Sequence, residues 1–330
     1  MILDGQSPAA IEQAARQLAA GELVAFPTET VYGLGADADS DAAVAGIFSA
    51  KGRPSDHPLI VHVTGPEAAA HFAGEVPAVA QRLMQAFWPG PLTLILPRRA
   101  GVAAASAGGQ DSIGLRCPAH PVAHALLVAC AALEPPVAGV AGPSANRFGR
   151  VSPTTAAHVQ AEFGDSLTVL DGGACQVGIE SAIVDCTRGQ PVLLRPGALT
   201  RAQIEAAAGE RLWLPQELSQ PGPRASGTLA SHYAPQARVR LMDAKSLQDA
   251  LDVLGPEAAG IAVWARAPLR TVSGRVLRRA MPADAAEAAR QLFAVLREFD
   301  AQQVRLIWVE TPPDAPEWAG VLDRLRRAAA

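Results

Sequence analysis

The chain has 330 residues, of which 49% are hydrophobic and 18% charged, with a formal net charge of −4. This composition is typical of a packed globular protein and excludes a disordered chain. The length allows two ordinary domains, and the negative charge argues against a protein that binds nucleic acid mainly through a basic surface.

Sequence signals for export, membrane insertion or metal binding are weak. The first residues lack a basic segment followed by an apolar run, and no apolar stretch reaches the ~20 residues that span a bilayer. We therefore expect a cytoplasmic protein. The four cysteines show no C-x-x-C spacing, so neither a zinc site nor a dithiol redox motif is predicted.

Strands alternate with helices over the first 208 residues. Ser7 and Pro8 begin a helix that Gly21 ends. Short apolar runs predict strands at 23–26, 59–63, 92–96, 113–116, 137–140, 167–170, 182–184 and 192–194, and helices are predicted at 40–50, 121–132, 153–163 (capped by Ser152) and 200–208. Because some strands follow one another directly, we expect a mixed α/β sheet that is covered on both faces.

Residues 209–236 are rich in Pro, Gly and Ser and are predicted to be a linker. Strand and helix patterns alternate again over 237–330, which predicts a small parallel α/β domain. This second domain carries no G-x-G-x-x-G or Walker sequence, so the sequence gives no sign of a nucleotide site within it.

Polar residues follow several predicted strands, where ligands usually bind in open α/β sheets. The segment PTETVYGLG (27–35) combines hydroxyls, a carboxylate and a phenol, and its alternative interpretation is a polar turn. In KGRP (51–54), Lys51 and Arg53 suit a polyphosphate, although a solvated basic turn has the same sequence. His62 lies in an apolar strand, where a packing role competes with ligand binding.

The segment GPSAN (142–146) presents a hydroxyl and an amide after a strand, as a phosphate site or an Asx-type turn would. Arg116 ends another strand, and a carboxylate is its natural partner. His232 and Tyr233 in the linker indicate either an anchor between domains or a lid over a site. No nucleophile motif is present, so the residues alone indicate an ATP- or phosphate-handling transferase.

Nine motifs in order closely resemble the YrdC-type threonylcarbamoyl-AMP synthases in their long two-domain form. They are PTETVYGLG, KGRP, PLIVHV (58–63), WPGPLTLIL (88–96), IGLRCP (113–118), GPSAN, GIESAIVD (178–185), LRPG (194–197) and SHYAP (231–235). Their order and spacing hold over about the first 235 residues, whereas the last hundred match only in size, position and α/β pattern. The resemblance implies a twisted mixed-sheet YrdC-like domain followed by a smaller Rossmann-like parallel domain.

The resemblance also implies a reaction, in which threonine, bicarbonate and ATP give threonylcarbamoyl-AMP and pyrophosphate without a covalent enzyme intermediate. It implies two sets of site residues. The ATP set is Lys51, Arg53, Ser144, Asn146, Arg195, His232 and Tyr233, and the threonine and carbamate set is Thr30, Tyr32, His62, Arg116 and Ser181. Mg²⁺ is implied by ATP chemistry, but no acidic pair in the sequence identifies its ligands.

Other implications of the resemblance concern partners. The product would pass to a transferase that modifies tRNA, and contact with tRNA or double-stranded RNA is a further expectation. Family members often have Thr where this chain has Ala182, so one hydroxyl beside Ser181 is missing. Two alternatives stay open, namely an RNA-binding translation factor and a carbamoyl-adenylate transferase with another acceptor. The sequence does not identify the oligomeric state.

Overall fold

The structure is a computed structural model that describes residues 1–219, 222–229, 231–271 and 273–330. Gln220, Pro221 and Ala230 of the predicted linker lie outside the described residues. The chain divides into two compact units. The first unit contains Met1–Phe148, Ser152–Gln176 and Glu180–Thr228, and the second contains Gly149–Val151, Val177–Ile179 and Leu229–Ala330. Within the described ranges, no helix combines the length and apolar character needed to cross a membrane.

The first unit is built on one ten-stranded sheet. Its strands are β1 Ile2–Asp4, β2 Val24–Phe26, β3 Gly33–Asp37, β4 Ile60–His62, β5 Leu92–Pro97, β6 Ser112–Arg116, β7 Val140–Ala141, β8 Thr168–Asp171, β9 Ala182–Asp185 and β10 Val192–Arg195. The spatial order is β1-β8-β2-β3-β7-β4-β6-β5-β9-β10. Parallel pairs such as β4 with β6 occur beside antiparallel pairs such as β5 with β6, so the predicted mixed sheet is confirmed.

Helices cover this sheet on both faces. They are α1 Pro8–Ala19, α2 Asp41–Lys51, α3 Pro66–Phe72, α4 Ala78–Phe87, α5 Pro121–Ala131, α6 Ala156–Phe163 and α7 Arg201–Ala208. Successive strand residues point to opposite faces, and β2 shows the result. Val24 and Phe26 join a core cluster with α1 and α5, whereas Ala25 joins the larger cluster on the other side.

The second unit contains a four-stranded sheet in which every pair is parallel. Its helices and strands are β11 Arg238–Met242, α8 Ala244–Leu254, β12 Ile261–Ala265, β13 Leu277–Ala280, α9 Ala285–Ala301, β14 Leu306–Glu310 and α10 Ala319–Ala328. Short 3₁₀ helices lie at Gly255–Glu257 and Pro316–Trp318 in this unit and at Pro215–Glu217 in the first unit. The strand order is β11-β14-β12-β13. The predicted parallel α/β arrangement is confirmed, although β13 was not predicted.

The clearest boundary differences from the sequence prediction are at helix α6 and strand β7. Helix α6 begins at Ala156 rather than at 153, because the hydroxyl of Thr155 accepts the backbone N–H of His158 as its cap. Ser152, the predicted cap, instead donates its hydroxyl to Glu180. Strand β7 is Val140–Ala141 instead of 137–140. The short elements β1, β3, α3 and α4 were also not predicted.

Candidate active site

Lys51 is the last residue of α2 and is buried against the loop that follows β7. The helix ends there because Gly52 adopts a left-handed conformation with φ 64°. The Lys51 ammonium donates to the carbonyl oxygens of Ser144 at 2.5 Å and Asn146 at 2.6 Å. Burial and the neighbouring Arg53 charge lower the pKa of Lys51 well below its usual value. The side chain therefore fixes the backbone of the loop in which phosphate binding was predicted.

The loop at 142–146 is itself compact. The buried side-chain amide of Asn146 donates to the carbonyl of Arg147 at 2.7 Å, and its backbone N–H donates to the Ser144 carbonyl. A Cβ at Gly142 would lie 2.9 Å from Nδ1 of His62, which is closer than side chains pack. Glycine is therefore needed at this position because the loop passes directly over the imidazole.

Arg53 follows the helix-ending glycine and is also buried. Its Nη2 donates to the Pro58 carbonyl at 3.0 Å and lies 3.4 Å from the hydroxyl of Ser226. The guanidinium carbon lies 5.8 Å from the ring centroid of Phe148, within cation–π range. The Ser226 hydroxyl in turn donates to the same Pro58 carbonyl at 2.7 Å. Arg53 thus joins the predicted phosphate cations to the 222–228 segment.

Arg195 ends β10 and connects the same segment to β9. Its Nε donates to the Ser181 carbonyl at 3.0 Å, and Nη2 donates to the Ser181 hydroxyl at 3.2 Å. Its Nη1 donates to the carbonyl of Ser226 at 2.9 Å. The hydroxyl of Thr93 lies 2.8 Å from that of Ser181. The structure therefore places Ser181, which was predicted for the amino acid, in direct contact with a residue predicted for ATP.

The segment 224–226 lies on the sheet of the first unit. Arg224 forms an ion pair with Asp56, and its backbone N–H donates to Gln110 at 2.8 Å. A cavity of about 20 Å³ remains between this segment and the strands, with Thr93 and Gly114 in its lining. This volume is far below the several hundred Å³ that ligand pockets typically provide.

Arg116 ends β6 and has a partner for each of its three nitrogens. Its Nε donates to the Gly90 carbonyl at 3.1 Å, and Nη1 donates to the Thr30 hydroxyl at 2.8 Å. Nη2 lies 2.6 Å from Oε1 of Glu29, and both side chains are more than 90% buried. The other carboxylate oxygen of Glu29 accepts the backbone N–H of Ala119 at 3.1 Å. The structure thus brings Thr30 and Arg116 together, as the sequence predicted for one pocket.

His62 lies beside Arg116, because β4 and β6 are parallel neighbours that pair these two residues. Its ring packs edge-on against Phe26 with the centroids 5.5 Å apart. Burial, reinforced by the positive charge of Arg116, lowers the pKa of His62 to about 3. The imidazole is therefore neutral at physiological pH and offers one donor and one acceptor.

Tyr32 is fully buried, and its phenol binds the end of β8. The hydroxyl donates to the Gly173 carbonyl at 2.8 Å, lies 3.1 Å from Asp171, and accepts the backbone N–H of Gly172 at 3.2 Å. Burial raises the pKa of Tyr32, so the phenol stays protonated. These contacts hold the 27–35 loop against the end of β8. The residues that bind the Tyr32 hydroxyl are different from those that contact Arg116.

His232 and Tyr233 belong to the second unit. The backbone N–H of His232 donates to the Arg327 carbonyl at 3.1 Å. Tyr233 has a positive φ of 62°, and its ring centroid lies 5.3 Å from that of Phe293. The Arg324 guanidinium carbon lies 5.6 Å from the same ring. Their predicted role in ATP binding stays a prediction.

A family model described as "Telomere recombination" (Sua5_yciO_yrdC) matches residues 16–197, and one described as "Threonylcarbamoyl-AMP synthase, C-terminal domain" matches residues 199–330. A threonylcarbamoyl-AMP synthase of Pyrococcus abyssi is 38% identical over 318 residues, covering 94% of this chain and 91% of the relative. The chain belongs to the Sua5/YrdC family of threonylcarbamoyl-AMP synthases.

Two further comparisons agree with this assignment to the threonylcarbamoyl-AMP synthase family. The synthase of Bacillus subtilis is 36% identical and covers 97% of this chain and 92% of its own length. The crystal structure of P. abyssi Sua5 complexed with L-threonine superposes with a TM-score of 0.88 at 35% identity, covering all of this chain and 97% of the other. The match extends over both units, although the sequence motifs were recognised only in the first 235 residues.

Three residues contact the predicted site residues but were not themselves predicted to belong to the site. Glu29 contacts Arg116, Thr93 contacts Ser181, and Ser226 contacts Arg53 and Arg195. Glu29 had a signal, since it is the one carboxylate of the 27–35 motif. Thr93 and Ser226 had none, because their contacts depend on strand pairing and on the path of residues 222–228. Ala182, where family members often have Thr, packs in the hydrophobic core.

The described residues of this synthase family member form no group of three or more His, Cys, Asp or Glu side chains that would hold a metal ion. The expected Mg²⁺ would therefore not fit an all-protein site in this part of the chain. Mg²⁺ commonly binds through substrate phosphates with only one or two carboxylates.

Proposed function

We propose that the chain is an L-threonylcarbamoyladenylate synthase that supplies the intermediate for N6-threonylcarbamoyladenosine in tRNA. The amine of threonine and bicarbonate form a carbamate with loss of water. A carbamate oxygen then attacks the α-phosphorus of ATP, and pyrophosphate leaves. The observation that carries this proposal is a buried set of cations, Lys51, Arg53 and Arg195, together with Arg116 and the residues that it contacts, which we call the Arg116 cluster. These side chains supply positive charge and orientation without a protein nucleophile.

The cations would act on the phosphates of ATP. Arg53 and Arg195 both contact Ser226, and the cavity under that segment is too small for a nucleotide. We propose that ATP takes the place of Ser226 on these two side chains. Lys51 would hold the 142–146 loop so that Ser144 and Asn146 face the nucleotide. His232 and Tyr233 are the other two residues proposed to bind ATP.

Mg²⁺ would enter with ATP, bound mainly by the phosphate oxygens, and would neutralise phosphate charge. Because the described side chains offer no group of three metal ligands, the chain's own contribution to charge neutralisation would come from Lys51, Arg53 and Arg195. Their burial strengthens each interaction with an anion, since water screens it less.

Threonine is the amino acid proposed for the Arg116 cluster. The P. abyssi relative was crystallised as a complex with L-threonine, which supports this choice. Arg116 would bind the carboxylate, while Thr30, Tyr32, His62 and Ser181 would line the remainder of the pocket. ATP, bicarbonate and tRNA are cytoplasmic components, so we propose that the enzyme works in the cytoplasm and hands its product to a tRNA threonylcarbamoyl transferase. A tRNA or double-stranded RNA contact would assist that transfer.

The direct test is pyrophosphate release from ATP and bicarbonate, with threonine present or omitted. Threonine-dependent release, with a threonylcarbamoyl-AMP mass in the product, is the expected result. Serine in place of threonine tests the acceptor alternative, and we expect slower release. Salt-dependent RNA binding without any threonine-dependent turnover would instead favour the translation-factor alternative, which the names of the relatives disfavour.

A further inference from the structure

Three buried side-chain atoms close to Arg116 have no aligned hydrogen bond within the described part of the chain. They are Glu29 Oε1, Arg116 Nη2 and His62 Nδ1. Glu29 Oε1 and Arg116 Nη2 are 2.6 Å apart, so they form an ion pair by distance, but their angle is not that of a hydrogen bond. His62 pairs with Arg116 in the sheet register, so all three atoms come from neighbouring elements.

Such atoms are costly, because a buried donor or acceptor that makes no aligned hydrogen bond has lost its hydrogen bonds to water without replacing them. Folded proteins leave few of them, and those that remain often mark a functional site. An ion pair that served only to hold Arg116 would gain from bidentate alignment of the carboxylate with the guanidinium. Glu29 instead uses its other oxygen on the backbone N–H of Ala119. The observed geometry therefore leaves hydrogen-bonding capacity on both charges.

Arg116 also keeps donors for a ligand. An arginine has five N–H donors, and three of its nitrogens each use one partner, namely Gly90, Thr30 and Glu29. One N–H therefore remains on each terminal nitrogen, the two that a carboxylate engages in bidentate binding. An adjacent negative and positive side chain match an α-amino acid, whose ammonium and carboxylate are separated by a single carbon.

We propose that Glu29 binds the α-ammonium group of the amino-acid substrate while Arg116 binds its carboxylate. Without substrate the two side chains neutralise each other, and the zwitterion inserts its two charges between them. This inference rests on the proposed function and adds to it a residue that recognises the amine.

The test compares threonine with its α-hydroxy analogue, in which a hydroxyl replaces the ammonium. Binding of each to the full chain is measured by calorimetry for the wild type and for Glu29→Gln. The wild type is expected to bind threonine at least about 10-fold more tightly than the analogue, since a hydrogen bond between charged groups is lost. Glu29→Gln is expected to weaken threonine binding by about 10- to 100-fold and analogue binding by less than about 3-fold.

The matched control is Asp185→Asn, because Asp185 is another buried carboxylate of the first unit that pairs with an arginine, Arg188. It should leave the preference for threonine over the analogue unchanged. Equal weakening of both ligands by Glu29→Gln would assign Glu29 a structural role and overturn the proposal. If Glu29→Gln does not fold, equal binding of both ligands by the wild type would overturn it. Threonine-dependent pyrophosphate release by the wild type tests the proposed function separately.

Discussion

The two predicted halves of the site satisfy their buried charges in different ways. On the phosphate side, Lys51 and Arg195 donate to backbone carbonyls of the chain itself. On the amino-acid side, Arg116 also donates to the Gly90 carbonyl, but its contact with Glu29 is an ion pair without an aligned hydrogen bond, and the buried His62 stays neutral. The phosphate side is therefore built into the fold, whereas the amino-acid side keeps hydrogen-bonding capacity for a ligand.

This difference separates two effects of substitution. A cation that holds the backbone together contributes to stability and to catalysis, so its removal changes both. A group whose hydrogen bonds await a substrate contributes mainly to binding. Substitutions on the two sides should therefore change stability and substrate binding to different extents.

The largest effect is expected for Lys51→Ala compared with Arg53→Ala. Each change should reduce turnover by at least about 100-fold, because each removes a positive charge from the developing phosphate charge. Lys51→Ala should also lower the free energy of unfolding by about 2 kcal/mol or more, since it leaves two buried carbonyls without their donor. Steady-state kinetics and denaturant unfolding measure the two effects. Equal stability of the two variants would contradict the structural role of Lys51. Near-normal turnover of both variants would show that neither residue acts in the ATP site.

The next effect is expected for Arg116→Ala, which leaves Glu29 as a buried charge without its cation. We expect the KM for threonine to rise by about 100-fold or more, with little change in the KM for ATP, because the carboxylate of threonine loses its charged donor. The control is Arg188→Ala, which removes the partly buried cation that pairs with the buried Asp185. It should lower stability without changing the KM for threonine. A parallel rise in both KM values for Arg116→Ala would argue against separate halves of the site.

A smaller effect concerns pH and His62. Its pKa is depressed to about 3 in the folded chain from 6.5, so the unfolded state binds a proton that the folded state does not. Stability from this group is therefore complete above about pH 6.5 and declines as the pH falls towards 3, by up to about 1.4 kcal/mol per pH unit. Denaturant unfolding of the wild type and His62→Gln at pH 7 and pH 5 isolates it. Identical pH slopes for the two proteins would show that His62 is not buried as the structure has it.

The smallest effect is expected for Lys245→Ala, which is the matched control for Lys51 because these are the only two lysines of the chain. Lys245 pairs with Asp249 on the exposed surface of α8. Water screens such a pair, so we expect no measurable change in Tm or in turnover. A loss of activity in this variant would mean that the second unit contributes charge to the reaction. That result would contradict the assignment of the charges to the two halves of the site compared above.

Sequence reasoning predicted the fold better where elements were long and periodic. The mixed sheet, the parallel second sheet and helices such as α2 and α5 followed from hydrophobic spacing and capping residues. Short elements such as β1 and β3 were missed, because three to five residues carry too little periodicity. Helix α6 was placed three residues too early, since Ser152 and Thr155 are both plausible caps and only the hydrogen bonds distinguish them.

The sequence by itself determined the family, the presence of one mixed and one parallel sheet, and the list of candidate site residues, because motif order and residue chemistry are local properties. Only the tertiary structure decided how those residues are paired. The contact of Arg53 with Ser226, the bond from Lys51 to the 142–146 loop and the ion pair of Glu29 with Arg116 each join segments far apart in the chain. Strand pairing and burial create these contacts, and neither is encoded in the spacing of any single motif.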